Sequence, residues 1–178
     1  MKTTVYIARS LDGFIARTNG DLDWLMNTEN TSKEVLDGYN EFISKIDAIV
    51  IGRGTFEKVL TFPSWPYERK VFVLSTTIQH IPEALKEKII VLAMKPRELL
   101  NYLSTQGYSN LYIDGGKVIQ NFLKEDCIDK LIVTTIPVLI GSGIPLFGDL
   151  LRDLHFKHLR TEAFPNGLVK SYYERKRN

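Results

Sequence analysis

The chain has 178 residues, of which 44% are hydrophobic and 25% charged, with a formal net charge of +2. That is enough for one core burying about 70% of the unfolded surface, and far from the basic footprint of a nucleic-acid binder. A single cysteine, Cys127, excludes an internal disulfide and a thiolate metal cage, and no apolar run approaches the ~20 residues of a membrane span.

In chain order, strand-like runs fall at Thr3–Arg9, Ala48–Ile51, Lys70–Ser75, Ile89–Ala93, Asn110–Ile113 and Lys130–Ile136. They are short, rich in Val and Ile, and mostly apolar at both phases of the alternation, as strands buried on two faces are. Helical patterns lie between them at Ser32–Ile46, Thr55–Leu60, Pro96–Gln106 and Val118–Glu125. Pro96 suits a first helical position and Gly107 the residue past the end. Alternating strands and helices predict one α/β domain over residues 1–178 with a mostly parallel sheet. Near the end, HFKHLRTEAF and LVKSYYERK flank Pro165-Asn166-Gly167; Asn-Gly is a hairpin signal, so the sheet should finish with an antiparallel pair. The opening TTVYIA reads as a strand in place of a charged leader, so a cytoplasmic, reducing compartment is expected.

Right-handed crossovers place successive parallel strand ends on one sheet edge, where ligands bind. Three segments should meet there: Ser10–Ala16, Gly52-Arg53-Gly54-Thr55, and Asp114-Gly115-Gly116-Lys117. The latter two each pair glycines with a cation and open a helix. Helix-start amides, close backbone approach at glycine and the Arg53 and Lys117 charges together suit phosphate. Two such sites on one edge suit a nucleotide cofactor with separated phosphates. Neither a P-loop nor G-x-G-x-x-G occurs, so the common nucleotide folds are not indicated.

YIARSLDGFIA, IVIGRGTFE, VFVLSTT and LYIDGGKVIQNFL, in that order, resemble the dihydrofolate reductase-like superfamily. TTIPVLIGSGIPLF is similar to its riboflavin branch, the reductase domain of the bifunctional riboflavin-biosynthesis deaminase/reductase. The resemblance spans nearly the whole chain and implies a three-layer α/β/α fold and an NADPH-dependent reductase acting on a small heterocyclic substrate. It implies that Ala8 and Ile15 hold the nicotinamide carboxamide through their backbones. Gly52, Arg53, Gly54 and Thr55 would bind the pyrophosphate and adenosine side. Leu74, Ser75, Thr76 and Thr77 would line the adenine and 2′-phosphate pocket, and Gly115, Gly116, Lys117 and Val118 would complete the pyrophosphate cradle. It also implies a homodimer, for which the apolar PVLIGSGIPLF is a candidate surface.

Hydride transfer is largely cofactor chemistry, which the protein orients and shields from water. Folate reductases place a carboxylate on the helix after the first loop. Here Val35, Leu36, Tyr39, Phe42, Ile43 and Ile46 form an apolar stripe, and Glu34, Asp37 and Glu41 fall on the opposite, solvated side. Asp12, in the first loop, is the better acid candidate, although Asp12-Gly13 also reads as a tight turn. Trp24 would cover the substrate or pack in the core. Asp114 reads as a turn residue. The motif runs on as Gly-Thr-Phe-Glu-Lys, and Phe14 stands where the riboflavin reductases often carry arginine, so the phosphoribosyl-pyrimidine substrate is not implied by every motif. A folate or pterin reductase and a non-catalytic nucleotide-binding module are the alternatives.

Overall fold

The computed structural model describes residues 1–25 and 33–177. Six parallel strands form its centre: β1 (Lys2–Ser10), β3 (Ala48–Gly52), β4 (Lys70–Leu74), β5 (Ile89–Leu92), β6 (Asn110–Ile113) and β7 (Lys130–Ile136). The strands β9 (Phe156–Ala163) and β10 (Val169–Arg175) extend the sheet, and the order across it is β5-β4-β3-β6-β1-β7-β10-β9. Helices cover both faces, which is why Ala48, Ile49, Val50 and Ile51 of β3 are all fully buried.

On one face lie α1 (Lys33–Ser44) and α2 (Arg53–Val59); on the other lie α3 (Pro96–Thr105) and α4 (Gly116–Lys124). The α3/α4 face holds the aliphatic core, with Val50, Phe72, Leu99, Leu103, Ile119 and Phe122 in one cluster. Five of the nine residues of α4 are buried. The α1/α2 face is more aromatic: Tyr6 stacks on Phe42 at 4.8 Å between ring centres and meets Tyr39 edge-on at 5.6 Å. No residue of α1 is fully buried.

The expected antiparallel finish is present. Gly167, at φ +83°, donates its N–H to the Phe164 carbonyl in the turn between β9 and β10, a left-handed position that glycine takes without strain. At the far rim of the sheet, Arg175 grips Asp126, just past α4, with bonds of 2.7 and 3.0 Å. That guanidinium holds the Asp126 carboxyl below the ordinary carboxylate range. β9 is an edge strand with most of its residues exposed.

Some details differ from the sequence expectation. The α2 and α4 helices start two residues earlier, at Arg53 and Gly116, because glycine-led first turns look like loop until the helix is seen. Leu36 is 49% exposed and leaves the apolar stripe of α1. The expected helix start, Ser32, lies outside the described residues. A small sheet pairs β2 (Phe14–Ala16) with β8 (Ile144–Pro145), tying the first loop to the segment after β7.

Candidate functional site

The strand ends do meet, and the glycines record how closely. A Cβ on Gly115 would lie 2.3 Å from Thr55 Oγ1, and Gly115 has φ +91°, so both space and backbone demand glycine there. A Cβ on Gly52 would lie 2.9 Å from Val118 Cγ2, and one on Gly116 would lie 2.9 Å from Ile15 Cδ1. The β6–α4 turn therefore touches both the first loop and the β3–α2 turn. No side chain caps α2 or α4, which leaves the first-turn amides of α4 without an intramolecular side-chain acceptor. Gly54 is different: a Cβ there would meet nothing within 4 Å, so this part of the turn is open.

Arg53 crosses to the loop after β4, where its Nη1 donates to Thr77 Oγ1 at 3.3 Å. Ser75 Oγ organises that loop by accepting from the Thr77 and Ile78 amides at 3.1 and 3.2 Å, while Thr76 is exposed at its tip. Leu74 packs under it on the α3/α4 core. Lys117 is exposed at the head of α4. One cation thus serves the hydroxyl loop and the other flanks the glycine cradle.

On the α1 side of β1, Ala8 and Trp24 pack in one cluster with Ile136 and Leu168. Trp24 is 8% exposed, a wall residue next to the strand that is expected to carry the nicotinamide. Asp12 has a clear structural partner set. Its carboxylate accepts from Ser10 Oγ at 2.5 Å, from the Gly141 amide at 2.8 Å and from the Ile140 amide at 3.1 Å. The Ser10 hydroxyl bond, followed by the two amides, lowers the Asp12 pKa. An exposed carboxylate held as an acceptor is a poor proton donor near neutrality. Through these bonds Asp12 fastens the Ile140–Gly141 turn to the first loop.

Two other polar groups face this side. Ser10 is fully buried and its Oγ also accepts the Phe14 amide at 2.9 Å, so one hydroxyl links strand, loop and Asp12. Asp114 accepts the Gly115 amide at 2.8 Å, a turn role as expected, and also the Tyr67 hydroxyl at 3.3 Å. Burial raises its pKa; burial and the nearby Asp114 charge together push Tyr39 up to about 12. A carboxyl ringed by tyrosines at a strand end is a candidate that turn chemistry alone did not reveal. The available signal was its phase: Asp114 follows Tyr112 by two residues and so shares its face. Among the described residues of α1, no carboxylate takes the inward helix position of folate reductases, since Glu34, Asp37 and Glu41 are all exposed.

This sheet order, with glycine turns of adjacent strand ends in contact, is a dihydrofolate reductase-like fold. A dihydrofolate reductase from Enterococcus faecalis complexed with NADP(H) superposes with a TM-score of 0.69 over 99% of this chain and 97% of its own, at 19% identity, a likeness of fold. Within that class, the chain belongs to the RibD C-terminal domain family, whose model matches residues 61–170. A Bacillus subtilis (strain 168) relative, "Uncharacterized protein YwjB", is 36% identical over 175 residues, 96% of this chain and 97% of that protein. A crystal structure from Shewanella sp. PV-4, "Putative riboflavin biosynthesis protein", is 41% identical with a TM-score of 0.91, covering 99% of this chain and all of the other. Among the described residues no helix is long and apolar enough to cross a membrane, and no group of His, Cys, Asp and Glu could hold a metal ion.

Proposed function

We propose that this chain is a cytoplasmic, NADPH-dependent reductase of the riboflavin-biosynthesis type, acting as one domain on a small heterocycle in the manner of a 5-amino-6-(5-phosphoribosylamino)uracil reductase. The observation that carries the reading is the contact of the Gly115 turn with Thr55 of the Gly52–Thr55 turn, which makes one cradle of two phosphate-suited segments. The residues present fit a dinucleotide bearing an additional phosphate. Gly52, Gly54, Thr55, Gly115, Gly116, Lys117 and Val118 would hold the pyrophosphate. Arg53, Leu74, Ser75, Thr76 and Thr77 would take the adenine and 2′-phosphate end, and the Ala8 and Ile15 backbones the nicotinamide carboxamide. When bound there, the cofactor supplies a hydride. The chain itself orients that hydride toward the α1 side of β1, with Trp24 excluding water and Asp12 holding the loop that borders it. A homodimer formed through the 137–147 segment belongs to the same proposal; Leu139 and Phe147 are 69% and 44% exposed.

A folate-reducing activity is disfavoured by the exposed carboxylates of α1. Titrating nicotinamide fluorescence with NADPH and NADH tests the reading. NADPH should bind and NADH should bind more weakly, and Arg53→Ala should weaken NADPH about ten- to hundredfold, the scale of a charge-assisted hydrogen bond. No binding of either nucleotide removes both enzyme readings. Screening ribosylaminopyrimidines and pterins for NADPH oxidation then separates the reductases from each other, and cofactor binding without any turnover leaves a nucleotide-binding module.

A further inference from the structure

On the α1 face, Lys170 Nζ and the Tyr6 hydroxyl are buried polar groups without a hydrogen-bond partner among the described residues. Lys170 is 1% exposed. A buried, unpartnered amine costs stability unless something completes it, so its retention asks for a reason. Among the described residues it has no acceptor. Nζ lies 5.0 Å from the Phe164 ring centre and 5.5 Å from that of Tyr6. A Cβ on Gly38 of α1 would come within 2.8 Å of Nζ and 3.8 Å of the Tyr6 hydroxyl, so both groups converge beneath one side-chain-free point of the helix.

The one carboxylate opposite Lys170 is already engaged. Glu162 is its cross-strand partner on β9, yet it pairs with Arg160 and accepts the Tyr172 hydroxyl at 3.1 Å. Glu162 is thus committed to Arg160 and Tyr172, and Lys170 has no carboxylate partner among the described residues. Lys170 also pairs in register with Thr134 of β7, which itself pairs with Ala8 of β1. The amine thus stands at the level of the strand residue assigned to the nicotinamide and on the same face. The layer above is α1, the helix that buries none of its residues completely.

We propose that Lys170 and Tyr6 form the donor floor of the substrate site and bind the ring oxygen of a planar oxo-heterocycle. This deepens the reductase reading and rests on it. Aromatic neighbours (Tyr6, Tyr39, Phe164, Trp24) suit a flat ring, and two unmatched donors, one of them cationic, suit a cyclic-amide carbonyl or its ionised form. Uracil-type and pterin rings share that group. Burial depresses the Lys170 pKa, and an acceptor brought against the amine offsets that desolvation.

The test uses Lys170→Met, which keeps the length of the side chain and removes the amine, and Tyr6→Phe, which removes only the hydroxyl. Binding of 5,6-diaminouracil, of 6-hydroxymethylpterin and of inorganic phosphate is measured by calorimetry with and without saturating NADPH. At least one of the two rings should bind the wild type. That affinity should fall about tenfold or more in Lys170→Met and less in Tyr6→Phe, with NADPH affinity unchanged in both. Lys170→Met should melt no lower than the wild type, because it deletes a buried unpartnered charge. Unchanged ring affinity in both variants, a wild type that binds NADPH but neither ring, binding of phosphate in place of the rings, or a lower melting temperature in Lys170→Met would each overturn the proposal. Loss of NADPH binding by the wild type would instead sink the reductase reading, with ring binding still measurable alone.

Discussion

The two faces of the sheet are built by different rules. The α3/α4 face is aliphatic and closed: α4 buries Val118, Ile119, Phe122 and Leu123, and the cluster includes both helices and three or more strands. The α1/α2 face is more aromatic and contains unpartnered polar atoms; α2 buries Phe56 and Val59 there, whereas α1 has no completely buried residue. Close packing of apolar groups supplies stability, whereas incompletely paired polar groups are features that stability alone would remove. On the proposed function, one face would keep the sheet rigid and the other would bind.

Substitutions can break or sharpen that contrast. The largest effect should come from Phe122→Ala, which opens a cavity in the closed face and should cost about 3–5 kcal/mol in urea denaturation. Phe42→Ala, on the half-buried aromatic face, should cost clearly less; equal losses would erase the distinction. Gly115→Ala forces a side chain into a left-handed backbone position against Thr55 and should cost about 1–3 kcal/mol, together with most of the NADPH affinity. Retained cofactor binding in that variant would separate the glycine cradle from the site.

Asp126→Ala should cost about 1–2 kcal/mol at neutral pH, discounted because two of its three arginine partners are substantially exposed. Its folded pKa is depressed by Arg175. The sign follows: the stabilisation is complete above the unfolded carboxylate value near ~4 and is lost as pH falls through the folded value. An acid melting series should show the variant losing less stability than the wild type below that point. The smallest effect should be Asp12→Asn, which keeps one acceptor oxygen for the Ile140–Gly141 turn. Turnover should fall with NADPH affinity unchanged; full activity would confine Asp12 to the turn itself.

Much of the scaffold was legible in the chain because doubly covered strands must be apolar at both phases. β6 and β7 begin and end where the Val/Ile runs do. The convergence of Gly52, Gly115 and Ile15 followed from topology, since parallel crossovers leave little choice of edge. What escaped had physical reasons. β2 and β8 are three and two residues long, too short to show a period. Leu36 fits a helical stripe by spacing, but the helix turns it outward. Lys170 lies in phase with Leu168 and Tyr172, an inward position, yet a lysine carries no sequence signal of burial. Asp12 could be placed in the site but not given its partners, because the amides it holds come from residues 128 and 129 positions later.

The central position of β1 has a temporal consequence. Its two neighbours, β6 and β7, start more than a hundred residues after it, so during synthesis the first strand emerges long before either flank exists. Until then both its rims stay open, and joining distant segments is the slow kind of step in folding. A nascent chain halted after β5 would have four of the six parallel strands made and nothing to lie on either side of β1, which makes the stretch of synthesis between Leu92 and Ile136 the interval when this protein most depends on being shielded from other chains.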